Sequence, residues 1–158
     1  MGFHPLATRL SGLVPQEKGK RMETRCIAVG EGGMEVRLSV IETEGRGLCA
    51  ALLGGDTPHV GGVVLGVPQQ RLNQEGLTCD ISQICLPGHK DVIAGAEVAR
   101  ILAMGMGQPV SVTCGVHRDD ASLADIEQLI GNCKQAARLW VSRFGDPSSC
   151  NCEEGDLK

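Results

Sequence analysis

Aromatic residues are nearly missing from this 158-residue chain: two phenylalanines, one tryptophan and no tyrosine. Phe3, Trp140 and Phe144 are too few to build the stacking platforms used for single-stranded nucleic acid or sugars. The core must therefore be assembled from Val, Ile, Leu and Ala around 22 glycines. A positive surplus is missing too. The net charge is -4, with a pI near 5.5, which argues against a sequence-independent grip on nucleic acid. Lys18, Lys20, Arg21 and Arg25 gather near the start, but Glu17 and Glu23 interrupt them. No stretch has the length of a membrane span, and Met1 to Val14 hold no sustained apolar run of the secretory kind. The expectation is a cytoplasmic protein with no nucleic-acid or membrane partner.

Familiar motifs are absent as well. The chain has no HExxH, no paired CxxC, no EF-hand loop, no P-loop and no dinucleotide-binding glycine fingerprint. It does have eight cysteines. Most sit inside apolar runs, as Cys26 and Cys49 do, where a free thiol acts as a small hydrophobe in a reducing compartment. Cys150 and Cys152 resemble half of a metal or redox pair whose partners are not evident.

Hydrophobic residues make up 42% and charged residues 22% of the chain, a globular balance. One α+β domain is expected over residues 23–145, after a leader at 1–22 and before a polar tail at 146–158. Cys26 to Val29 reads as a strand that ends in the Gly30–Gly33 turn. Glu35 to Val40 alternates strictly, with Val36, Leu38 and Val40 inward. Leu48–Leu53 and Val60–Val67 are short apolar runs that read as a second hairpin, and Leu77–Leu86 closes a meander of about five antiparallel strands. Pro68–Gly76 reads as a loop. The period then becomes helical over Asp91–Gly105, with Ala94, Val98, Ile101, Leu102 and Gly105 on one stripe. Pro109–Cys114 is a sixth strand. Ser122 and Asp125 have capping spacing for a second helix that Gly145 and Pro147 stop.

Three polar islands interrupt the apolar pattern, and each carries one histidine: Gly54–Gly62 with His59, Pro87–Asp91 with His89, and Cys114–Asp120 with His117. Each histidine has an acid within three positions, Asp56, Asp91, and Asp119 with Asp120. A metal-bound imidazole uses such a carboxylate. The simpler reading is that the histidines cap loops by hydrogen bonding. Gly54-Gly55 and Gly61-Gly62 frame either a glycine-lined anion loop or merely a tight turn. Lys90, entering a helix, either adds charge to an anion site at the helix start or is solvated. His117 and Asp119 have the chemistry of an acid or base, or are ordinary loop residues.

Taken in order, Asp56-Thr57-Pro58-His59-Val60-Gly61, Gly88-His89-Lys90-Asp91 and Cys114-Gly115-Val116-His117-Arg118-Asp119-Asp120 resemble the LpdD family. These are the small subunit-D proteins of gallate and other hydroxyarylic acid decarboxylases, described as prenylated-flavin chaperones. The resemblance covers roughly Glu23 to Phe144. Arg118 and Asp120 stand where family members often have an aromatic residue or Asn. The resemblance implies a fold like that of small proteasome-assembly chaperones, with a tendency to dimerise. It also implies a non-catalytic accessory role, binding or delivering prenylated FMN (or FMN) to the large subunit of a UbiD-type decarboxylase. On that basis the cofactor-binding candidates are His59, Gly61, Gly62, His89, Lys90, Gly115, His117 and Asp119, with no catalytic or metal-ligating residue assigned. The alternative is an assembly chaperone or structural subunit with no cofactor of its own. A small metal-dependent enzyme is a more distant one.

Overall fold

A computed structural model describes residues 22–72 and 75–145. Nearly all of the expected leader and the polar tail, with Cys150 and Cys152, lie outside the described residues. The elements run β1 (Thr24–Val29), a 3-10 turn (Gly32–Met34), β2 (Val36–Glu42), β3 (Leu48–Gly55), β4 (Gly62–Gln70), β5 (Leu77–Cys85), α1 (Val92–Met106), β6 (Val110–His117) and α2 (Leu123–Phe144). The fold is α+β: one six-stranded mixed sheet with two helices.

The sheet order is β1-β2-β3-β6-β4-β5, and this corrects the expected meander. β3 and β4 do not form a hairpin. β6 lies between them, parallel to β3 and antiparallel to β4. The turn chemistry between Gly54 and Gly62 imitates a hairpin locally. The six residues 56–61 actually bridge the gap over the intervening strand. β3 is largely apolar and β6 alternates apolar residues with Ser111 and Thr113, and both are central strands paired along both edges. β4 also runs further than expected, through Pro68 to Gln70, in register with β5. Pairing with β6 stops at Gly66, so the missing N–H of Pro68 leaves no ladder bond unmade on that side.

Alternation decides which face is buried. Val36, Leu38, Val40, Leu52, Val64, Val110 and Val112 are fully enclosed. α1 packs on the β4, β5 and β6 half and α2 on the β1 and β2 half, both on that one face. Small residues set the spacing: Gly95 of α1 sits against Cys114 and Val64, and Gly105 against Val141 of α2. Trp140 is fully buried and packs on Phe144, ring centroids 5.2 Å apart. α2 starts with the expected capping box: the Ser122 hydroxyl accepts the Asp125 N–H, and the Asp125 carboxylate accepts the Ser122 N–H at 2.9 Å. These Ser122 hydrogen bonds, led by the one from its hydroxyl, hold the Asp125 carboxyl below its ordinary range. Gly107, in the left-handed region at φ 63°, ends α1. No helix among the described residues is long and apolar enough to cross a membrane.

The pairing directions put four connections at one rim: β1–β2, β3–β4, β5–α1 and β6–α2. All three histidine islands are therefore at the same end of the sheet. Leu52, at the centre of β3 with no exposed surface, tests the core. Leu52→Ala should lower unfolding free energy by about 2–5 kcal/mol in urea titration.

Candidate functional site

The rim is built on a close crossing of main chains. The β3–β4 segment passes directly over the end of β6, and a Cβ on Gly115 would collide with the His59 carbonyl. The Gly61 N–H donates to the Cys114 carbonyl at 2.8 Å, and the Asp56 N–H to the His117 carbonyl at 2.7 Å. A Cβ on Gly61 would strike the Asp91 carboxylate, and one on Gly62 the Val92 side chain. Gly61, Gly62 and Gly115 thus serve close approach. Gly55, at φ 77°, and Gly88, at φ 81°, have backbone conformations that favour glycine.

Asp91, at the start of α1, ties the islands together. Its side chain is only 6% exposed. One carboxylate oxygen accepts the Val116 N–H of β6 at 2.7 Å. The other faces His89 Nδ1 at 3.2 Å and His59 Nε2 at 3.6 Å. His59 Nε2 and His89 Nδ1 are themselves 3.0 Å apart. The His59 ring lies 4.8 Å from that of His89 and 5.9 Å, edge-on, from that of His117. His117 Nε2 pairs with Asp119 at 3.0 Å, on the exposed side. Asp56 forms a second tie: its carboxylate accepts from the Asp119 N–H at 3.1 Å and from Arg118 at 3.4 Å.

Beside this cluster a cavity of about 370 Å³ opens between the starts of α1 and α2 and the end of β6. That volume falls within the ~300–1,000 Å³ of small-molecule sites. Its walls are aliphatic, with Ile93 on α1, Val116 on β6, and Ile126 and Ile130 on α2. Lys90, His117 and Arg118 are at the polar side. Arg118 Nε is buried without a hydrogen-bond partner; the Asp125 carboxylate is 3.9 Å away.

Of the residues singled out in the sequence, His59, His89 and His117 come together. Lys90 and His117 line the cavity, and Gly61, Gly62 and Gly115 shape the crossing beneath it. Asp119 stays outside as a partner of His117. The Cys114–Asp120 island is strand as far as His117 rather than a loop. Sequence reasoning missed three things: Asp91 as the hub, Arg118 as an unsatisfied donor, and the Ile126–Ile130 wall. Ile126 and Ile130 belong to the apolar stripe of α2, and the only hint was that the stripe begins before the helix reaches the core.

The model of one protein family, described as the prenylated flavin chaperone LpdD-like domain, matches residues 30–145, well over half of the chain. The chain belongs to this LpdD-like family. Among curated proteins no match was found. The LpdD-like match opens in the β1–β2 turn and closes at the C-cap of α2, so it contains all four rim connections.

The buried thiols Cys133, which lines the cavity, and Cys114 give a check on the packing here. Burial, followed by the charge of Asp91, pushes Cys114 up to about 11, and burial pushes Cys133 up to about 12. Thiolate is the nucleophile, so both should resist iodoacetamide at neutral pH while the exposed Cys26 and Cys49 react; peptide mass mapping reads this out. Gly115→Ala must displace main chain rather than a side chain. It should cost about 1–3 kcal/mol or more, as overpacking does, measured by chemical denaturation.

Proposed function

We propose that this LpdD-like protein is a non-catalytic carrier that binds prenylated FMN at the histidine rim and delivers it to a UbiD-type decarboxylase. The observation that carries the reading is the pairing of an aliphatic cavity with a cationic, donor-rich edge. Prenylated FMN joins a large ring system, apolar at its dimethylbenzene and prenyl-derived end, to a phosphate group. Ile93, Ile126 and Ile130 offer the matching apolar wall. Lys90 has no ion-pair partner among the described residues, and Arg118 Nε is a buried donor in want of an acceptor. These residues fit the group: Lys90, His117 and Arg118 would hold its phosphate end, and the isoleucines would screen its ring from water. The decarboxylation chemistry is the cofactor's own, exercised in the partner enzyme. The six described cysteines are free thiols, in keeping with a reducing cytoplasm.

A second observation concerns the sheet face turned away from the helices. Cys26, Ser39, Ala51, Thr113, Val63 and Ile84 run across it in one register row, beside Leu65 of β4. No described element covers this face. Its small and apolar surface supports a homodimer packed sheet to sheet, and it is also what an assembly chaperone without a cofactor would use.

Activity, flavin retention and light scattering test these readings. The chain alone should turn over no hydroxyarylic acid, and adding it with prenylated FMN should raise the activity of the partner decarboxylase. Lys90→Ala should weaken flavin retention on gel filtration roughly tenfold, the scale of one charged hydrogen bond. Ile126→Glu should abolish retention, with circular dichroism unchanged in both. If both variants load the partner as well as the parent does, the cavity is not the working site. Retention of no flavin by the parent favours the assembly reading. Light scattering should give a dimer for the parent and a monomer for Leu65→Lys, which places a charge on the uncovered face.

A further inference from the structure

The three atoms that meet at the hub have more lone pairs than protons. His59 Nδ1 lies 2.9 Å from the Thr57 carbonyl oxygen, which can only accept, so Nδ1 carries a proton and, in the neutral ring, Nε2 presents a lone pair. That lone pair faces Asp91 Oδ2, whose partner oxygen is already oriented by the Val116 N–H. Between them stands His89 Nδ1, 3.0 Å from one and 3.2 Å from the other. A single proton on His89 Nδ1 satisfies only one of these two acceptors at a time. A cation at the centre satisfies all three atoms at once.

The spacing suits that cation. Ligand atoms about 2.0–2.1 Å from an ion, in tetrahedral or octahedral geometry, are roughly 2.9–3.4 Å from one another. Two of the three separations, 3.0 and 3.2 Å, fall in that span, and the third, 3.6 Å, is met by a slightly wider ligand angle. No other group of three or more potential ligand residues converges in this way among the described residues. The side chains are already held, His59 by Thr57 and Asp91 by Val116. Outer partners of this kind fix the ligands of metal centres. Side-chain exposure falls from 36% at His89 and 22% at His59 to 6% at Asp91, so the triangle is closed behind and open in front. His89 and Asp91 also line the cavity.

We propose that His59 Nε2, His89 Nδ1 and Asp91 Oδ2 form a binding site for one divalent transition-metal ion, with its remaining coordination positions open to water or to an oxygen atom of a molecule in the adjoining cavity. Two imidazoles and one carboxylate select borderline ions such as Zn²⁺, Co²⁺ or Fe²⁺ over Mg²⁺ and Ca²⁺, which favour all-oxygen sets. The proposal rests on the triangle alone and stands whether or not the cavity holds a flavin.

The test uses the full chain, stripped with a chelator and titrated without flavin. Zn²⁺ should bind at one equivalent and raise the thermal unfolding midpoint. Co²⁺ should give visible ligand-field bands without thiolate charge-transfer absorption, which separates this site from the cysteines. His59→Ala and His89→Ala should each weaken Zn²⁺ binding by at least about 10–100-fold, the loss seen even for outer partners of metal ligands. Asp91→Asn should do the same while its amide oxygen still accepts from Val116. If Asp91→Asn fails to fold, the two histidine variants decide the matter. The proposal is overturned by no binding at micromolar Zn²⁺, by a thiolate band in the Co²⁺ adduct, or by undiminished affinity in His59→Ala and His89→Ala.

Discussion

The rim depends on one main-chain crossing. β6 enters the sheet between β3 and β4, so the segment joining those strands must pass over the end of β6. The contact is backbone on backbone, with the His59 carbonyl against the α-carbon of Gly115. Everything polar at this end is arranged around that contact. His59 is carried across to the α1 side and meets His89. Gly61 lets the segment lie on the Asp91 carboxylate, and Asp56 bonds the far side of the loop to the Asp119 N–H. The crossing turns three separate turns into one surface.

Asp91 makes that surface rigid. A carboxylate with only 6% of its side chain exposed is costly unless its oxygens are used. Here one oxygen is spent on the β6 backbone and the other on two imidazoles. The same residue orients β6, α1 and the β3–β4 segment together. His59 and His89 stand on the connections themselves, and what fixes them is their contact with each other and with Asp91 at the start of α1.

Much of the fold was legible in the sequence. Strict alternation gave the buried face of β2. Ser122 with Asp125 gave the start of α2, and Gly145 gave its end. Of the expected α1 stripe, Ala94, Val98, Leu102 and Gly105 are buried and Ile101 is partly buried. Strand order was not legible, because the Gly-rich bridge from Gly54 to Gly62 has the local chemistry of a hairpin whether it joins neighbours or skips a strand. Only the distant Val110–His117 segment decides between the two. The rim histidines could be singled out because polar residues are rare in this chain's apolar runs. Their mutual distances could not, since they follow from the position of β6. The role of Asp91 was hidden for the same reason: its partners, His59 and Val116, are remote in sequence.

The scarcity of aromatics then bears on how a carrier would work. Aromatic walls dominate tight recognition because each contributes large buried area and specific stacking. The cavity here has aliphatic walls and a charged edge. On the proposed reading, aliphatic contact shields a ring from water without gripping it, and the cationic edge holds the phosphate. Such a site favours transfer: an enzyme with a fuller set of contacts takes the cofactor by offering better ones, and nothing in the carrier has to unfold to release it. The rigid crossing and the soft cavity are therefore complementary. On the proposed carrier reading, the first would hold the polar groups in place and the second would let the cofactor leave.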